Sequence, residues 1–99
     1  MKVIRFDWDA KKDIANHRKH GVKFSEAQTV FEDENAIEFY DEDHSLKEGR
    51  YLMIGISSKL RLLLTSYTVV QTKNEEIIRI ISTRKATKNE QKVYFERSI

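Results

Sequence analysis

The sequence predicts an α+β fold, an antiparallel β-sheet with helices packed on it, in the order β-α-α-β-β-β-β-α. Three observations predict it. Residues 36–40, 50–57, 60–70 and 76–81 are strand-length runs rich in β-branched, aromatic and aliphatic residues, the last three joined by hairpin-length turns. Asp9 and Gly21 bracket a helix-length segment in the positions of an N-cap and a left-handed C-cap. Thr87-Lys88-Asn89-Glu90 is a capping box, with a helix expected over about 88–97.

Each element has a local reason. Lys2–Asp7 reads as a short strand, Val3 and Arg5 on one face, Ile4 and Phe6 on the other. The first helix runs over about 10–20, and Arg18, Lys19 and His20 complement its C-terminal dipole. Spacing puts Ala10, Ile14, His17 and Arg18 on its packed side, Lys12, Asn16 and Lys19 opposite, and His20 at the border. Ser25-Glu26-Ala27-Gln28 reads as a second capping box, opening a helix that turns Ala27, Val30 and Phe31 inward and ends near Glu32. Asp41–Gly49 is an acidic loop. Gly55 inside its strand predicts a bulge or a close backbone approach. Ile77, Ile78, Ile80 and Ile81 surround Arg79, which predicts a strand buried on both faces and ending at a turn-forming Ser82-Thr83. Alternation sets Arg79 with Ile77, Ile81 and Thr83, and Arg84 with Ile78, Ile80 and Ser82. Val93 is the clearest inward residue of the last helix, joined by Tyr94 or Phe95.

Ninety-nine residues make one domain, 1–99, with a modest core. The absence of cysteine removes disulfides, thiolate catalysis and cysteine-ligated zinc, and fits a cytoplasmic protein. No apolar run is long enough to span a membrane. The net charge of +2 hides a division. Residues 1–24 carry +4, residues 25–48 carry −8 and residues 49–99 carry +6. A basic start and end around an acidic middle could bind a polyanion on one surface and a basic partner on another. The same signs could instead pair within the chain.

No phosphate-binding glycine loop, nucleophile elbow or dinucleotide-binding glycine pattern is present. His17 and His20 could share a metal with Asp9 or Asp13, but His-x-x-His arises often by chance and a boundary histidine is the simpler reading. Asp41-Glu42-Asp43-His44 lacks the spacing of a calcium loop. No cofactor is expected. What remains is a chemistry of cations and acid–base groups. RNA can be cut without a metal when its 2′-hydroxyl attacks the neighbouring phosphate. That needs a base, an acid and cations on the developing charge. His20, Lys19, Arg50, Arg61, Tyr67, Arg79 and Arg84 supply such groups. A guanidinium at residue 79 is equally readable as half of a structural ion pair.

Trp8-Asp9, Lys12, Asn16, Lys19-His20-Gly21-Val22 and Phe24-x-Glu26-Ala27 stand in the first half of the chain. Val30-Phe31, Arg50-x4-Gly55, Arg61, Tyr67-Thr68, Arg79-Ile80-Ile81-Ser82-x-Arg84-Lys85-Ala86-Thr87, Glu90 and Tyr94 follow. In this order they resemble the BrnT toxin family over nearly the whole chain. The chain departs from the family's usual Ser-Ala-Arg in having Thr83 between Ser82 and Arg84, and its segment Val69-Val70-Gln71-Thr72-Lys73-Asn74 lacks the basic residue often found after the family's Tyr/His-Thr pair and has a lengthened turn. The resemblance implies a RelE-like fold and a metal-independent ribonuclease toxin. It also implies a BrnA-like antitoxin, encoded alongside, that carries the DNA-binding domain through which the pair represses its operator. On this reading His20, Lys19, Arg61, Tyr67, Arg79 and Arg84 form the catalytic set, and Lys12, Arg50 and Lys85 hold RNA phosphates. The competing reading is a non-catalytic partner of a DNA-binding antitoxin, its acidic middle facing a basic protein. A metal-dependent nuclease using His17, His20 and Asp9 is a third.

Overall fold

Five strands form one sheet in the spatial order β1-β5-β4-β3-β2. They are β1 (Val3–Asp7), β2 (Ile37–Tyr40), β3 (Arg50–Ile56), β4 (Leu62–Gln71) and β5 (Glu75–Lys85). Three helices accompany them: α1 (Ala10–His20), α2 (Phe24–Gln28), continued by a 3-10 turn over Thr29–Glu32, and α3 (Lys88–Arg97). The element order is the expected one. The computed structural model describes residues 2–44 and 49–97, and the acidic loop read over 41–49 lies partly outside them.

The β2-β3-β4-β5 pairings are antiparallel, while β1 joins β5 in parallel. Register and alternation divide the side chains between two faces. Phe6, Met53, Leu63, Thr65, Tyr67, Ile78 and Ile80 share one face, where Val22, Phe24, Ala27 and Val30 pack on it from α1's exit, α2 and the 3-10 turn. Trp8 meets the Phe24 ring edge-on at 6.2 Å, anchoring the entry to α1. This is the core, and it is small.

The order of β5 differs from the simple alternation. Ser66 pairs with Ser82 but Tyr67 pairs with Ile80, so Ile81 is an extra residue, a β-bulge. The strand does not stop at Ser82-Thr83; it runs on to Lys85 with its parity reversed. Ile78, Ile80 and Thr83 are therefore the buried residues, and Arg79, Ser82 and the terminal Lys85 the exposed ones, so one face of β5 is buried rather than both. Thr83 fits the core because Thr65, directly opposite, shares a hydrogen bond with its hydroxyl at 3.1 Å.

The caps follow local chemistry with one exception. Asp9 Oδ1 accepts from the backbone N–H of Lys11 and Lys12, and Gly21 takes φ +72°. Ser25 caps nothing. α2 begins one residue earlier, and Asp13 of α1 accepts the Phe24 N–H at 2.9 Å. The Thr87 box forms as expected: the hydroxyl accepts from Glu90 N–H, and the Glu90 carboxylate accepts from Thr87 N–H. In α3 the buried residue is Tyr94, whereas Val93 and Phe95 are exposed. The Tyr94 hydroxyl donates to Asp33 Oδ2, which also accepts Ile56 N–H, so the inward tyrosine keeps its hydroxyl hydrogen-bonded. Gly55 is not a bulge but a close approach. A Cβ there would lie 3.1 Å from Ala36 Cβ and 3.2 Å from Val30.

Helix α1 reverses the expected faces. Ile14 is 61 % exposed, and Asn16 is the buried residue. The reason is tertiary. β1 follows β5 only as far as Arg79, which leaves the upper edge of β5 without a strand neighbour. Asn16 fills that place: its Oδ1 accepts Thr83 N–H at 3.1 Å, and its Nδ2 donates to Thr83 and Val22 carbonyls, each at 2.9 Å. A side-chain amide carries both a donor and an acceptor, so it can stand in for a backbone peptide.

Candidate functional site

The bulge decides which cations meet. On the second face of the sheet, β4 presents Leu64, Ser66 and Thr68, and their partners on β5 are Arg84, Ser82 and Arg79. Without the extra residue, the two arginines would point to opposite faces. Arg50 pairs with Thr68 from the other side, so Arg50, Thr68 and Arg79 form a row across three strands. Arg84 lies four β4 steps from that row, roughly 13 Å along the strand.

His20 joins this face from α1. The Asn16 contacts hold the C-terminal half of α1 against β5, and His20 is its last residue. It lines a cavity of about 200 Å³ with Ser66, Ser82, Arg84, Leu52 and Leu64. An imidazole, two hydroxyls and a guanidinium therefore surround one space. An imidazole can accept or donate a proton, and the guanidinium can hold a phosphate oxygen.

Both central arginines have carboxylate partners. Arg79 Nη1 lies 2.5 Å from Asp7 Oδ2, with both side chains nearly half exposed. Such a pair is weak and solvent-screened, about 0–1 kcal/mol, and a phosphate can compete for it. Arg84 is held bidentately by Glu90, at 2.7 and 2.9 Å. Glu90 thus performs two tasks, capping α3 and fixing Arg84 in its direction. The Arg84 bonds keep the Glu90 carboxyl below its ordinary range, against burial, which acts the other way; the Thr87 N–H adds to the lowering.

Two of the proposed catalytic residues lie elsewhere. Tyr67 is 1 % exposed on the helix-covered face and donates to Glu38. Burial, with the Glu38 bond second, pushes its hydroxyl far above the usual range, so it does not give up a proton readily. Arg61, in the turn before β4, grips the buried Glu26 through two nitrogens and donates to Gly21 O at 3.2 Å. Glu26 also accepts from Ser57 Oγ. This is a structural cluster that ties α2 to the β3–β4 turn.

The remaining cations are distributed around the rim. Lys19 is exposed in the last turn of α1, and Arg50 is half-buried at the start of β3. Lys12 is exposed in the first turn of α1, away from His20. Lys85 is exposed and, opposite Leu63, falls by parity on the helix-covered face. Asp9 is occupied as an N-cap at the far end of α1 from His20. Among the described residues, no group of three or more His, Asp or Glu gathers as a metal site. Sequence reasoning missed Ser66, Ser82, Thr68 and the Arg84–Glu90 pair. The capping box signalled Glu90, but nothing local reported that its carboxylate reaches back across the turn.

The 1.1 Å crystal structure of the Brucella abortus ribonuclease toxin BrnT has a similar fold. It matches with a TM-score of 0.61 and 21 % identity, covering 88 % of this chain and 100 % of that one. No curated protein sequence matches the chain significantly. The family model described as the ribonuclease toxin BrnT of type II toxin–antitoxin systems matches residues 8–90, and the chain belongs to that family. Membership brings with it an RNA substrate and an antitoxin partner. Among the described residues, no helix is long and apolar enough to cross a membrane.

Proposed function

We propose that the protein is a metal-independent endoribonuclease that blocks translation in the cytoplasm. A BrnA-like antitoxin neutralises it, and the pair represses its own operon, touching operator DNA only through the antitoxin. The observation that carries the enzymatic part is the bulge at Ile81. It aligns Arg79, Ser82 and Arg84 on one face, where Ser82 and Arg84 line one cavity with the imidazole of His20.

The chemistry follows from those groups. A 2′-hydroxyl attacks its adjacent phosphorus, the bond to the 5′-oxygen breaks, and a cyclic phosphate and a 5′-hydroxyl result. His20 takes the proton from the attacking hydroxyl. Lys19, next to it in the last turn, is the candidate donor for the leaving oxygen. Arg84 stabilises the extra charge on the phosphorane from a fixed orientation, and Arg79, further along the same face, grips the neighbouring phosphate. Arg50 and Lys12 hold flanking phosphates. Tyr67 and Arg61 support the scaffold rather than the reaction. Purified protein incubated with RNA, with and without EDTA, tests this. Cleavage that persists in chelator and is lost in His20→Ala and Arg84→Ala, with folding intact, is expected. Cleavage abolished by chelator would refute the metal-free mechanism, and none at all would refute the enzyme.

One observation favours the non-catalytic reading. Both Arg79 and Arg84 are already matched by carboxylates. In that case the protein is a corepressor of its antitoxin, and expression leaves growth unchanged. Growth arrest relieved by His20→Ala would reject it.

A further inference from the structure

The helix-covered face is not covered to its end. Beyond α2 and the 3-10 turn, a groove of about 390 Å³ lies open between β1 and β2. Phe6, Phe31, Met53, Tyr67, Val69 and Ile78 line it. A chain of ring contacts crosses the sheet there. Phe6 meets Phe31 at 5.0 Å, Phe31 meets Tyr67 at 4.9 Å, Tyr67 stacks on Tyr51 at 5.8 Å, and Tyr51 meets Tyr40 at 5.4 Å. At its two ends Ile4 and Tyr40 are 58 % and 53 % exposed.

The charge at this groove has a single sign. Glu32, Glu38 and Glu76 are among its lining residues, and among the described residues no Lys or Arg is. Aromatic and methionine side chains in an exposed groove are the composition of a protein-binding surface. Three carboxylates around it repel a phosphate backbone and attract a cationic polypeptide. The cationic face of the sheet lies on the opposite side.

We propose that this groove receives an amphipathic, Lys- or Arg-bearing segment of the antitoxin, apolar side chains on the aromatic floor and cations on the three glutamates. The proposal rests on the antitoxin reading given above. It makes the two faces of one sheet separate sites, one for RNA and one for protein.

The test is isothermal titration of the whole protein with the small protein encoded beside its gene. E32Q/E38Q/E76Q keeps side-chain volume and the acceptor for the Tyr67 hydroxyl. It is expected to raise Kd at least tenfold at low salt and to flatten the salt dependence. Ile4→Lys, on an exposed edge strand, is expected to do likewise, while both variants cleave RNA as the wild type does. Wild-type affinity in both variants would overturn the groove, even with the antitoxin reading intact. Failure of the wild type to bind the neighbouring protein would overturn that reading and the groove with it. A wild-type dimer broken by the same substitutions would reassign the groove to a second copy of the chain and overturn the proposal.

Discussion

Asn16→Ala is the most informative single change, because one side chain substitutes for a missing strand. It removes three hydrogen bonds of 2.9, 2.9 and 3.1 Å. Thr83 is 1 % exposed, so its N–H and C=O are left without water. Each orphaned buried backbone group costs about 1–3 kcal/mol. Alanine returns at most about 0.7 kcal/mol through better helix propensity. For these two groups together the expected net loss is about 1–5 kcal/mol. For a domain of this size, each kcal/mol lowers Tm by about 4–8 °C. Urea unfolding followed by far-UV circular dichroism measures the loss directly. The damage should also reach His20, which is held beside Ser82 by the same contacts, so RNA cleavage should fall even at temperatures where the variant is folded. A loss below about 0.5 kcal/mol, the range of ordinary surface substitutions, would refute the assigned role of Asn16.

Three further outcomes are expected. Glu90→Gln keeps a hydrogen-bond acceptor for the α3 cap but loses the bidentate charge pair. It should cost about 1–2 kcal/mol in chemical denaturation and lower the RNA cleavage rate more than its KM, because Arg84 loses its fixed direction. Gly55→Ala should destabilise by about 1–3 kcal/mol through overpacking against Val30 and Ala36, with cleavage by the folded fraction unaltered. Stability should also fall in acid. The carboxyl of Glu26 is lowered by its Arg61 bonds, against burial, and that of Glu90 by Arg84. The unfolded chain therefore binds more protons than the folded one below the ordinary value of 4.5. Their contribution is complete above that value and is lost as pH falls through the lower folded values. Urea midpoints between pH 6 and pH 3 check it, and Arg61→Gln should shrink the slope.

Local signals carried much of this protein. Asp9, Gly21 and the Thr87–Glu90 box set three helix ends because each acts on backbone groups within a few residues of itself. The strand runs and turn spacings placed the antiparallel β2–β5 part of the sheet, since alternation and hairpin length are short-range properties.

Tertiary structure decided the rest. The bulge at Ile81 has no local signature among four isoleucines, and it alone determines that Arg79 and Arg84 share a face. Asn16 looked like a solvated helix residue because its partner is an unpaired strand edge 67 residues away. Tyr67 and Arg61 carry suitable chemistry, but strand parity buries one and Glu26 engages the other. Residue types announce what chemistry is possible. Only the register of distant strands determines which of those groups face the same solvent.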